Sequence, residues 1–259
     1  MIFLKLGGSL ITQKEQVETA RYLLLQRTAM EIARAKAKNP NLRLLLGHGS
    51  GSFGHIAAAQ YATNRGAASP SEWQGFARVW ASAQRLNRIV VDFLMNEDLP
   101  VMTFPPSAST ICDAGLIQEM AYQPIIDAIE ANLIPVVYGD VAFDCTQGAA
   151  IVSTETIFAF LAQYLQPSRV LIAGIEKGVY ANYPETEKIL RSIKAQDLED
   201  IGLGGAQATD VTGGMRGKVE AALEIASLSS DIEVRIFSGE APGSIENAIL
   251  GAKPGTQIK

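Results

Sequence analysis

The chain is poor in the residues that staple, ligate or anchor. It has two cysteines, Cys112 and Cys145, in 259 residues. Neither belongs to a CxxC pair or has a nearby histidine, so a disulfide framework and a zinc site are both unexpected and the pair reads as packing residues in a reducing compartment. No apolar run approaches the ~18 residues of a membrane span. The apolar start MIFLKL lacks the basic flank, long core and cleavage site of a signal peptide, so a cytoplasmic protein without membrane attachment is expected. Blocks of basic residues are missing too. The net charge is −5 and no basic and aromatic residues interleave, which argues against a nucleic-acid surface and makes any anion site local. Histidine is as scarce as cysteine, and both copies, His48 and His55, fall within eight residues.

What remains is an ordinary soluble composition, 47% hydrophobic and 19% charged with 23 glycines, long enough for one large α/β domain or two closely packed lobes. Short apolar runs alternate with helical patterns. Strands are expected at Ile2–Leu6, Leu42–Leu46, Pro100–Phe104, Ile134–Tyr138, Val170–Ala173 and Glu233–Phe237, with Gly255–Ile258 closing the sheet. Helices are expected at Gln16–Lys38, Ser71–Asn96, Tyr122–Ala131, Thr154–Leu165, from Gly214 to about Ser227, and at Ser244–Leu250. Val17, Tyr22, Leu24, Leu25, Ala29 and Ile32 form the apolar stripe of the first helix. Trp73, Phe76, Trp80, Leu86, Val90 and Phe93 read as the core face of the second. Ser107–Leu116 reads as irregular or hairpin, and Asn182–Leu203 as a peripheral insertion.

The densest stretch is HGSGSFGH, His48 to His55, at the end of an apolar run. Gly49, Gly51 and Gly54 suggest a loop whose amides line a pocket for phosphate. It is neither the GxGxxG dinucleotide fingerprint nor a Walker A loop, since no Gly-Lys-Ser/Thr follows. Lys5 sits near the carboxyl end of the first strand, where a parallel sheet opens its ligand crevice; it reads equally as an anion ligand or as a lysine snorkelling from an edge strand. Gly139-Asp140 forms a second turn at a strand's carboxyl end. In TDVTGGMRGKV, Thr212, Gly213 and Gly214 precede a helix whose amino terminus and Lys218 make another phosphate candidate.

Taken in order, KLGGSLITQK, HGSGSFGH, LNRIVVDFL, PVVYGDVAFD and VTGGMRGKV resemble the amino acid kinase superfamily, and most of all isopentenyl phosphate kinase. Lys14 and the histidine closing SFGH are the marks of that branch. The resemblance covers nearly the whole chain and implies a three-layer αβα sandwich with an open, mainly parallel central sheet. It implies one domain over 1–259, with an acceptor-binding half over about 1–150 and an ATP-binding half over about 151–259, usually in a homodimer. The implied reaction joins isopentenyl phosphate and ATP, with magnesium, to give isopentenyl diphosphate and ADP. Carried over by motif, the catalytic set is Lys5, Lys14, His55, Lys218 and Glu155. The acceptor phosphate would meet Gly49, Gly54, His55 and Gly139, and ATP would meet Lys5, Leu6, Gly7, Gly8, Ser9, Ser50, Gly214 and Lys218. No metal-ligating side chain is implied.

The chain departs from that pattern in three places. Ser50 interrupts a run of three glycines. Ser153-Thr154-Glu155 stands where relatives have Ser-Gly-Asp, so Glu155 takes the place of the aspartate that organises the lysines. Glu176-Lys177 replaces an aspartate pair before Gly-Val-Tyr. Asp210 reads equally as an orienting group or as a helix entry. The alternatives are a kinase of another small phosphate or phosphonate, of the fosfomycin type, and a catalytically weak nucleotide-binding sensor.

Overall fold

The protein is described by a computed structural model over residues 1–13, 15–54, 66–182, 185–198, 201 and 214–259. The chain begins with strand β1 (Ile2–Leu6), a short helix α1 (Gly8–Ile11), helix α2 (Tyr22–Lys38) and strand β2 (Leu44–His48). The long helix α3 (Pro70–Met95) leads to β3 (Val101–Thr103), a turn of helix α4 (Pro106–Ser109), β4 (Thr110–Asp113) and β5 (Leu116–Met120). Helix α5 (Gln123–Glu130), β6 (Ile134–Tyr138), β7 (Asp140–Asp144), β8 (Gly148–Val152) and helix α6 (Thr154–Leu165) complete the middle. Strands β9 (Arg169–Gly174), β10 (Tyr180–Asn182), β11 (Glu185–Ile189) and β12 (Ser192–Ile193) precede α7 (Gly214–Leu228), β13 (Glu233–Ser238), α8 (Ser244–Ile249) and β14 (Thr256–Ile258).

Strand residues alternate between faces, and here both faces are covered. From β1, Ile2, Leu4 and Leu6 pack with Leu25, Ile32, Leu86 and Val90 of α2 and α3. Phe3 turns the other way, onto Phe158 of α6, in the core that also takes Val219 of α7. Lys5 shares the parity of Phe3 and therefore faces α6 and α7. The central sheet runs β12-β14-β13-β9-β1-β2-β6-β3. The strands from β13 to β3 pair in parallel, while β14 lies antiparallel to β13. This is the expected αβα sandwich. β1 lies between β2 and β9, and the chain winds outward from it in both directions, so the crevice beyond its carboxyl end is a topological switch point.

Several elements differ from the sequence expectation. Residues 16–21 are not helical: Glu18 has φ of 48°, Thr12 bridges to Ala20, and Val17 is 67% exposed rather than part of a buried stripe. Tyr22 and Trp80 are also exposed. β2 extends to His48, so the glycine loop begins one residue past it. A second sheet, β5-β4-β7-β8, was not foreseen beyond a hairpin near Ser107–Leu116. Its β7–β8 turn is held by Asp144, whose carboxylate accepts the amides of Ala114, Gly115, Thr146 and Gln147. Among the described residues, no helix is long and apolar enough to cross a membrane.

Candidate active site

Strand ends supply the framework. β1 ends in Gly7, whose amide donates to the Ala173 carbonyl of β9 at 2.7 Å. Gly8 and Ser9 then turn into α1. Beyond β2, the Gly49 amide donates back to the Leu6 carbonyl at 2.9 Å, tying the two loops together. Their glycines are explained by that closeness. A Cβ on Gly8 would lie 2.4 Å from the Gly51 nitrogen, and one on Gly49 would lie 2.7 Å from the Gly8 nitrogen. Gly51 also has φ of 49°, a left-handed conformation that costs an L side chain about 1–2 kcal/mol. Ser50 is absent from the positive-φ positions, so its side chain imposes no backbone strain on the loop.

Lys5 is 4% exposed and its amine pairs with the carboxylate of Glu155, which resolves the snorkelling alternative. Glu155 lies in the first turn of α6, behind the N-cap Ser153, whose hydroxyl accepts the Thr156 amide at 3.0 Å. Burial alone would raise the Glu155 carboxyl, but the adjacent Lys5 and the charge of Lys218 hold it below its ordinary range. Glu155 is therefore an anion at neutral pH. Thr154 anchors the helix start by donating from Oγ1 to the His48 carbonyl at 2.6 Å. A cleft lined by Lys5, Gly7, Ser9, Gly174, Met215 and Lys218 opens beside this pair. Glu176 also lines it.

The expected phosphate donors are rearranged. Gly54 donates to the Ser50 carbonyl, Gly139 to the His48 carbonyl and Gly49 to Leu6, so these three amides are committed within the protein. Leu6 turns its side chain into the core and its carbonyl to Gly49. The amides of Gly8, Ser9, Ser50 and Gly51 have no hydrogen-bond partner among the described residues. They are orphan donors of two helix starts, the groups that attract anions. Gly214 opens α7 with φ of 62°. Lys14, His55, Asp210, Thr212 and Gly213 lie outside the described residues. Sequence reasoning missed Thr154 and Asn87, whose partners are remote in the chain.

The model of the amino acid kinase family matches residues 1–238. The isopentenyl phosphate kinase of Methanothermobacter thermautotrophicus is 34% identical, with 100% of this chain and 98% of that protein covered. The enzyme of the same name from Methanocaldococcus jannaschii is 30% identical, over 100% and 98%. The chain belongs to the amino acid kinase family, in its isopentenyl phosphate kinase branch. A solved isopentenyl phosphate kinase structure, 31% identical and fully covered by this chain, superimposes with a TM-score of 0.87. In this isopentenyl phosphate kinase branch member, the carboxylate at the start of α6 reaches the lysine of β1 and forms a buried pair with it.

Proposed function

We propose that this chain transfers the γ-phosphoryl group of ATP to isopentenyl phosphate, forming isopentenyl diphosphate and ADP. The observation that carries the reading is the buried Lys5–Glu155 pair beneath two loops whose partnerless amides converge from Gly8, Ser9, Ser50 and Gly51. Phosphoryl transfer needs little covalent help from the protein. Its charge-rich transition state is served by cations and amides fixed around the phosphoryl oxygens. Lys5 and Lys218 supply the cations, and Glu155 holds Lys5 in position. Lys14 and His55 complete the charge set, Lys14 between the two phosphates and His55 as a donor to the acceptor.

A phosphate monoester has a second pKa of about 6, so at neutral pH its own oxygen attacks and no carboxylate base is required. The acceptor half spans about 1–150 and the ATP half about 151–259. Magnesium would accompany the nucleotide, since this ion commonly binds through substrate phosphates and water rather than through a cage of protein ligands. When bound, it neutralises phosphate charge. The enzyme acts as a cytoplasmic homodimer in isoprenoid biosynthesis. Sedimentation velocity tests the assembly.

The deciding experiment is a magnesium-dependent ATP-consumption assay with isopentenyl phosphate, dimethylallyl phosphate, fosfomycin and a short alkyl phosphate, with products identified by mass. Isopentenyl diphosphate should form fastest. Faster turnover of fosfomycin would overturn the assignment, and ATP binding without turnover of any acceptor would favour the sensor alternative.

A further inference from the structure

His48, the first histidine of the glycine stretch, has no role in the reaction described so far. It is 1% exposed at the end of β2, and its ring stacks on Tyr138 with centroids 5.2 Å apart and planes 7° apart. Nδ1 lies 3.1 Å from the Gly49 carbonyl oxygen, and Nε2 lies 3.2 Å from Oδ1 of Asn87. Asn87 in turn contacts Oγ1 of Thr103 through Nδ2 at 3.1 Å. As drawn, both ring nitrogens face acceptors, which a neutral imidazole cannot satisfy together. Turning the Asn87 amide over removes the conflict. Its Nδ2 then donates to Nε2, its Oδ1 accepts from the Thr103 hydroxyl, and Nδ1–H donates to the Gly49 carbonyl. Burial lowers the ring's proton affinity and favours this neutral form.

The consequence lies in one peptide plane. The Gly49 carbonyl and the Ser50 N–H belong to the same trans peptide unit and point in opposite directions. A carbonyl held down by His48 therefore turns the partnerless Ser50 amide up, away from the core. We propose that His48, as its neutral Nδ1–H tautomer, is a positioning residue that orients the Ser50 amide toward the phosphates of ATP, the ligand to which the family resemblance assigns Ser50. Asn87 of α3 and Thr103 of β3 fix the ring's orientation. The role of the amide rests on the isopentenyl phosphate kinase reading; the tautomer does not.

Asparagine carries its amide nitrogen near the position of Nδ1, and glutamine carries its own near Nε2. His48→Asn should keep the Gly49 link and hold the KM for ATP within about twofold of the parent protein. His48→Gln should keep only the Asn87 side and raise that KM about five- to tenfold, the effect of one hydrogen bond. The KM for isopentenyl phosphate should change less than that for ATP in both. Equal KM values for ATP in both variants would overturn the proposal, whether both match the parent or both are impaired. Parent protein that turns over no isopentenyl phosphate would instead refute the function reading. If neither variant folds, long-range ¹H–¹⁵N correlation spectra of the parent decide through the ring alone: Nδ1–H supports the proposal, and Nε2–H or an imidazolium overturns it.

Discussion

Glu155 and Lys5 show how a single charge is made useful by its surroundings. The carboxylate is buried in the first turn of α6 against the amine at the end of β1. Neutralising it as Glu155→Gln leaves the lysine's charge in the interior with that counter-ion gone, which should cost on the order of 3 kcal/mol of stability. Turnover should fall more than tenfold, because the amine loses its fixed direction. Glu155→Asp keeps the charge and should retain most of both. Urea denaturation and steady-state kinetics on the two variants check this. Asp140 has the opposite sign. Burial raises its carboxyl to about 6, although the amides of Ser107 and Val141 oppose the shift. A carboxyl raised on folding contributes stability below its unfolded value of 3.8, and that contribution is lost as pH climbs through about 6. Relative to the parent, Asp140→Asn should gain about 2 kcal/mol between pH 4 and pH 7, measured by parallel urea titrations. A difference that does not change with pH would show that Asp140 titrates normally.

At the scale of elements, the two glycine loops act as one unit. The backbones of Gly8 and Gly51 approach so closely that a methyl group on Gly8 meets the Gly51 nitrogen and Cα at 2.4 and 2.6 Å. Backbone cannot rotate aside as a side chain can, so Gly8→Ala should separate the loops. The KM for both substrates should rise, with kcat/KM lower by at least tenfold, as initial-rate kinetics would show. Much of this arrangement was legible in the sequence. Ile2–Leu6, Ile134–Tyr138 and Thr154–Leu165 were read to the residue, because each is a clean run bounded by glycine, a turn or a cap. Where the signal failed, the reason was physical. Val17 extends the helical spacing of α2 by chance across a segment that Glu18 turns with positive φ. The strands β7 and β8 are short and joined through a turn whose anchor, Asp144, takes donors from a separate hairpin. Gly49, Gly51 and Gly54 predicted a phosphate loop, but the amides of Gly49 and Gly54 serve the framework. Which amide lacks a partner depends on contacts such as Leu6 to Gly49 that spacing does not encode.

Across the whole molecule, the two edges of the sheet do different work. The carboxyl edge carries the loops and Lys5. At the amino edge, Arg169 opens β9 and Glu233 opens β13, and the guanidinium donates to Glu233 at 2.7 Å and to the carbonyls of Ala248 and Ala252 at 2.6 and 2.8 Å. Arg235 donates to the other oxygen of Glu233 at 2.6 Å and to the carbonyls of Lys253 and Pro254. This cluster fastens the turn that brings β14 back antiparallel to β13. Burial would raise the Glu233 carboxyl, but Arg235 and Arg169 together hold it below its ordinary range. A carboxyl depressed on folding stabilises the protein above its unfolded value of 4.5 and ceases to do so as pH falls. Glu233→Gln keeps one acceptor and loses the charge, so it should cost about 2 kcal/mol at neutral pH and lower Tm by about 5 °C. Because the cluster lies at the edge remote from the cleft, both KM values and kcat should stay within twofold of the parent at 25 °C. The variant should also lose less stability than the parent on acidification. A kinetic defect as large as that of Glu155→Gln would mean that the amino edge and the cleft are mechanically coupled, and the division of labour between the two edges would have to be abandoned.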